Sequence, residues 1–187
     1  MKKQVNGNTD GIRATVLARL AALYDLKQEP REFASHALIE ELAALTALIR
    51  REISVYIGRD GMVEDVSIGD SGKVNMPSMR LVRNADRLCG VRCLHTHPNG
   101  DGRLSGVDLG TLRSMRLDCM AALGVNEAGE ATTFYAAFLG DMQGEEREVL
   151  IAGPLRPYRL PQKQLLDEIK IADERLKSST KETEEAR

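Results

Sequence analysis

The sequence predicts an α/β (α+β) fold, a mixed β-sheet sandwiched by helices, and three observations predict it. Apolar residues recur with a helical period up to Glu52, switch there to alternation, and return to a helical period near Ser105. Short alternating runs are joined by glycine-bearing turns, Asp60-Gly61 and Asn126-Glu127-Ala128-Gly129. Helical patterns flank and interrupt these runs, so the sheet they build carries helices packed on it. With 187 residues, 42% of them hydrophobic and 29% charged, the chain is long enough to bury a sizeable core in one domain.

The first helix carries Ile12, Val16, Leu20 and Leu23 on one face, with Thr9 or Asp10 as its cap. A loop around Glu29-Pro30 leads to a second helix, capped by Ser35, whose stripe is Leu38, Leu42, Leu45 and Ile49. Ile53, Val55 and Ile57 then alternate with Glu52, Ser54 and Tyr56, and the strand turns at Asp60-Gly61 into a return strand over about 62–68. Gly69-Asp70-Ser71-Gly72 reads as a loop and Pro77 begins an irregular crossing. A third strand runs from Val91 towards His95. A helix starting near Ser105 turns Leu109, Leu112 and Met115 inward. Strands over 120–125 and 132–139 follow, and a last helix carries Leu165, Ile169, Ala172 and Leu176. The expected organisation is therefore a helix and linker over 1–34, a central domain over 35–140, an extension with a helix over 141–177, and a polar tail or interdomain linker over 178–187.

Charge and composition exclude several classes. Lys+Arg 26 against Asp+Glu 28 leaves a net charge of −2, which provides no dedicated nucleic-acid surface. No apolar run approaches the ~18 residues a membrane span needs, and the basic start leads into no apolar segment of a signal peptide. A cytoplasmic location is the expectation. The Cys count of 3 makes no disulfide framework. Cys89 and Cys93 would stand roughly 13 Å apart on an extended chain, beyond disulfide reach, and no zinc-finger spacing occurs.

The chemistry concentrates in His95-Thr96-His97-Pro98, followed after six residues by Ser105-Gly106-Val107-Asp108. Strand alternation puts His95 and His97 on one face, where both imidazoles can reach one ion at ~2.0–2.1 Å. Asp108, in the first turn of the following helix, can supply a third ligand, leaving the fourth position of a zinc ion for water. Water so held needs a carboxylate base, and Glu52 at the start of the first strand is the candidate, on the parity opposite Ile53 and Val55. Glu40 and Glu41 read as solvent-facing; Glu64 on the return strand remains open. Ser-x-x-Asp is equally a helix capping box, and Ser105 can cap while Asp108 binds metal. His36 reads as a surface residue.

His95-x-His97, seven residues, then Ser105-x-x-Asp108, with Glu52 some forty residues ahead, resembles the JAMM (MPN+) signature of zinc-dependent deubiquitinases and their prokaryotic relatives; His97-Pro98-Asn99-Gly100-Asp101 resembles the RadC branch in particular. The resemblance covers roughly residues 35–140. It implies a cytidine-deaminase-like layered fold, zinc held by His95, His97 and Asp108, Glu52 as general acid/base, Ser105 at the oxyanion, and a peptide or protein-conjugate substrate.

A second resemblance is to the N-terminal extension of HflX-type GTPases, which are ribosome-associated. It rests on Gly7-Asn8-Thr9-Asp10-Gly11, Leu23-Tyr24, the His95–Gly100 stretch and the run from Leu117 to Ala122. It implies a non-catalytic binding module, with a C-terminal GTPase domain beyond the tail and contact with the ribosome through it. The chain itself lacks a phosphate loop: Gly72-Lys73 is followed by Val74, and residue 67 is Ser where Gly is needed. PHP-type phosphoesterases also begin with His-x-His, but they need further ligands downstream and no histidine follows His97.

Overall fold

In the structure, a computed structural model, residues 3–29, 33–69, 88 and 90–138 are described. Their order is β1 (Asn6–Gly7), α1 (Ala14–Ala22), a 3-10 turn (Leu23–Asp25), α2 (His36–Ile49), β2 (Ile53–Gly58), β3 (Val63–Ile68), β4 (Val91–His97), α3 (Gly106–Met115), β5 (Cys119–Val125) and β6 (Ala131–Phe138). The expected crossing at Pro77, the helix through Leu165 and Leu176, and the tail lie outside the described residues, as does Cys89.

The six strands form one mixed sheet in the order β1-β3-β2-β4-β5-β6. β2 runs antiparallel to both β3 and β4, β4 and β5 are parallel, and β6 returns antiparallel to β5. A parallel pair cannot be joined by a tight turn. The β4–β5 link is therefore a crossover, and α3 is that crossover.

Alternation along the strands sorts the core into two layers. Val55 and Ile57 of β2, Leu94 of β4, Ala121 and Leu123 of β5 and Phe134 of β6 pack with Val16, Leu20, Leu38 and Leu42 of α1 and α2. The intervening residues Tyr56, Cys93, Met120 and Ala137 pack with Leu109, Leu112 and Met115 of α3. Helices thus cover both faces, and β4 is buried along most of its length because it lies mid-sheet. The described fold is α+β with a mixed sheet and three α-helices.

Helix ends follow partly from the sequence. Ser35 caps α2 through its side chain, which accepts from Leu38 N–H at 3.2 Å. The expected Thr9 or Asp10 cap of α1 is corrected: the N-cap is Arg13, with no side-chain cap bond. Thr9 and Asp10 are instead used in a turn, where Asn8 Oδ1 accepts Asp10 N–H and Thr9 O accepts Ile12 N–H. The β2–β3 hairpin closes over three residues, 59–61, with Gly61 at φ +81°, a left-handed conformation that glycine adopts without a Cβ penalty.

The first strand was not expected from the sequence. Asn6–Gly7 pairs in parallel with Ser67–Ile68, and the Tyr24 hydroxyl fastens it by donating to Gln4 O at 2.9 Å while accepting Val66 N–H at 2.9 Å. Two residues are too few for any periodic signal. Among the described residues no helix is long and apolar enough to cross a membrane.

Candidate metal centre

The histidine pair ends β4, and Ser105, the N-cap of α3, stands eight residues after His97. His95 and His97 have the same parity as Tyr56 and Cys93, so both point to the α3 side of the sheet. The crossover then returns the first turn of α3 over them. One donor atom from each of His95, His97 and Asp108 lies within 4.8 Å of the other two. His95 Nε2 is 3.0 Å from His97 Nε2 and 3.5 Å from Asp108 Oδ1. His95 is fully buried and Asp108 is 6% exposed.

Hydrogen bonding divides the two oxygens of Asp108. Oδ2 accepts from Ser105 N–H at 2.7 Å and from Ser105 Oγ–H at 2.7 Å, while Asp108 N–H donates to Ser105 Oγ at 3.2 Å. This is the capping box expected from Ser-x-x-Asp, and it occupies only one oxygen. Oδ1 faces the histidines. Burial pushes the Asp108 carboxyl up, but the bond to and charge of His95, with the two Ser105 donors, outweigh burial and hold it at about 2.

His97 has a defined tautomer. Its Nδ1 stands 2.7 Å from Asp101 O, and a carbonyl oxygen can only accept, so Nδ1 carries the proton. The neutral ring then presents a lone pair at Nε2, towards His95 and the centre of the cluster. His97 Nε2 and Asp108 Oδ1 are thus two acceptors converging on one point, with His95 Nε2 beside them. A cation accepts electron pairs from all three. Four-coordinate zinc at ~2.0–2.1 Å from each ligand places neighbouring ligand atoms ~3.3 Å apart, close to the two separations made by His95 Nε2, 3.0 and 3.5 Å. The three side chains could hold a metal ion, and two imidazole nitrogens with a carboxylate oxygen are donor types that zinc accepts.

Glu52 occupies the residue before β2 and is 7% exposed. Strand parity puts it on the side of Ser54 and Tyr56, the face that carries the histidines, and its carbonyl accepts Gly69 N–H at 2.9 Å. Its carboxylate is not one of the three converging donors. Glu64 is exposed beside Lys3, and its Cγ lies against Gly58 at the opposite end of β2. Glu40 pairs with His36 at 3.0 Å and Glu41 with Arg19 at 2.8 Å, both at the surface.

Sequence reasoning passed over the polar residues around the cluster. Thr96, between the two histidines, points to the other face and bonds Thr46 of α2 at 2.7 Å and Ile53 N–H at 3.0 Å. Asp65 Oδ2, Ser67 Oγ and His95 Nδ1 are buried without a hydrogen-bond partner, Tyr56 Oη has only the Cys93 thiol beside it, and register puts all of them on the histidine face. Nothing in the apolar pattern of β3 signals this, because polar residues at alternate strand positions ordinarily face water. Cys93 lies on the same face, and burial pushes its thiol up to about 12.

Comparison of the chain with family models, curated proteins and solved structures returned no match.

Proposed function

We propose that the protein is a zinc-dependent hydrolase of JAMM type that acts on a peptide or isopeptide bond. The observation that carries this reading is the convergence of His95, His97 and Asp108, with the His97 Nε2 lone pair aimed inward and one Asp108 oxygen left over from capping. The six-stranded sheet with helices on both faces is compatible with the cytidine-deaminase-like layering that the JAMM resemblance implies. Histidines at the carboxyl end of β4, next to a helix N-terminus, occupy the end of a sheet where α/β folds bind ligands.

Bound by these three side chains, zinc supplies Lewis acidity towards a carbonyl and a water of lowered pKa. Glu52 is the group assigned to take the proton from the attacking water and deliver it to the leaving nitrogen; its place on the histidine face supports that role. Ser105 Oγ–H is assigned to the oxyanion. In the resting site that hydroxyl donates to Asp108 Oδ2, so it must rotate to serve. Asp108 keeps the Ser105 N–H bond when it does.

Zinc content of the purified protein tests the reading. About one zinc per chain is expected, lost in His95→Ala and in Asp108→Ala, and a chain that stays metal-free after zinc reconstitution would sink the proposal. A second reading is a metal-holding binding module next to a GTPase, since a metal site does not by itself establish turnover. Glu52→Gln separates the two. As a hydrolase, the variant keeps its zinc and loses turnover of a peptide or ubiquitin-like conjugate. As a module, neither form cleaves anything, and ribosome co-sedimentation of a GTPase-linked chain persists.

A further inference from the structure

The residues His97, Gly124 and Thr133 form one row across β4, β5 and β6, by register His97↔Gly124 and Gly124↔Thr133. All three share the α3 side of the sheet. After His97 the chain leaves the strand and folds back across this row. Gly124 and Gly102 make that return possible: a Cβ at Gly124 would collide with Gly100 O and Thr133 Oγ1, and a Cβ at Gly102 would stand 2.7 Å from Gly124 N and 2.8 Å from Ala122 O. The loop backbone therefore lies directly on the ends of β5 and β6.

One peptide unit of that loop spans the gap between His97 and Thr133. Asp101 C=O accepts His97 Nδ1–H at 2.7 Å, and Gly102 N–H donates to Thr133 Oγ1 at 2.7 Å. Both groups belong to the same planar peptide. In a trans peptide the C=O and N–H point in opposite directions, so fixing one end aims the other. Thr133 Oγ1 also donates to Gly100 O at 3.1 Å, and Thr132 Oγ1 donates to the same oxygen at 2.6 Å, holding the preceding peptide as well. A hydrogen bond accepted from the N–H of an amide also polarises its carbonyl and strengthens it as an acceptor.

The geometry points to Thr133 as a positioning residue for the metal centre: through the rigid Asp101–Gly102 peptide it holds a carbonyl on His97 Nδ1, which keeps the proton there and the Nε2 lone pair turned into the cluster. This rests on the zinc reading for its purpose, but its structural content does not need the metal. The contribution of Asp101 is its backbone; its side chain is engaged outward with Arg103 at 2.6 Å.

The test compares Thr133→Val, which keeps the branched shape suited to a strand, with Thr133→Ser, which keeps the hydroxyl. Full-length protein with 15N-labelled histidine is read by NMR without metal, and zinc affinity is then measured against a chromophoric chelator. In the wild type and Thr133→Ser, His97 is expected as a single Nδ1–H tautomer, with zinc affinities within about twofold of each other. In Thr133→Val the tautomers mix and zinc affinity falls by ~10–100-fold, the usual loss when the partner behind a metal-binding histidine is removed. Gly102→Ala, which displaces the same peptide, gives the same tautomer mixing. A Thr133→Val protein that keeps the pure Nδ1–H tautomer overturns the inference, whatever its zinc affinity. If the wild type takes up no zinc yet the tautomer follows residue 133, the zinc reading fails and the peptide strut stands.

Discussion

The hydroxyls of Thr46 and Thr96 meet at 2.7 Å, fully buried between α2 and β4. Thr96 Oγ1 also accepts the Ile53 N–H at 3.0 Å, so one side chain joins a helix, the start of β2 and the strand segment carrying both histidines. Replacing Thr96 by Val keeps the shape and leaves two buried polar groups without a partner. The expected loss is about 1–3 kcal/mol of unfolding free energy in urea, with Thr96→Ser losing much less. A fully stable Thr96→Val protein would show that this junction contributes nothing.

Acid should weaken the fold through Asp108. Its native carboxyl is held at about 2, below the ordinary 3.8, so the charged form favours the folded state. The stabilisation is fully present above the unfolded carboxyl's pKa and is lost as pH falls from about 4 through 2. Its size is about 2 kcal/mol, from the linkage between a pKa difference and stability. Unfolding free energies of metal-free wild type and Asp108→Asn, measured with a chelator present from pH 6 to pH 2, should converge over that window. Parallel curves would contradict the assignment.

The cap is separable from the ligand. Ser105→Ala removes an acceptor from Asp108 N–H and a donor to Asp108 Oδ2, but leaves Asp108 Oδ1 facing His95. Thermal or urea unfolding should show a loss of ~1 kcal/mol, typical of an N-cap deletion. Zinc stoichiometry should stay near one per chain. Loss of the metal along with the cap would mean that Oδ1 cannot be held in place by the backbone N–H of residue 105 alone.

Tyr24 ties the first strand to the sheet. Tyr24→Phe leaves the buried Val66 N–H without its acceptor and frees Gln4 O. We expect a cost of about 1–3 kcal/mol, and amide exchange at residues 5–8 faster than in the rest of the sheet. Unchanged protection there would contradict the tether.

Arg50 ends α2 with φ +53°, exposed to solvent, in a left-handed conformation that a side chain disfavours. Arg50→Gly should raise stability by about 0.5–1 kcal/mol, since relief at the cap exceeds the extra entropy glycine brings to the unfolded chain. A loss of stability would show that the arginine side chain makes a compensating contact.

Much of the frame was legible in the residues themselves, and the reason is local. Period-2 alternation from Glu52, the glycine turns at Gly61 and Gly129, and Ser-x-x-Asp before an apolar stripe each depend on a few neighbours along the chain. They determined β2 to β6, the Ser35 and Ser105 caps, and the shared face of His95 and His97. The Thr9 or Asp10 cap failed because Asn8 competes for the same backbone, drawing those residues into a turn.

What only the tertiary structure decided is non-local. Strand β1 exists because Ser67–Ile68 and Tyr24 offer it partners some 60 and 20 residues away. Asp108 reaches His95 because α3 is the crossover of a parallel pair, a pairing with no signature in either strand. Glu64 left contention because the hairpin carries it to the far end of β2. The proton on His97 Nδ1 is decided by a peptide held from β6, which the spacing of His-x-His cannot express. Residue types and short-range periodicity determined which groups face the same way; packing between distant strands decided which of them meet.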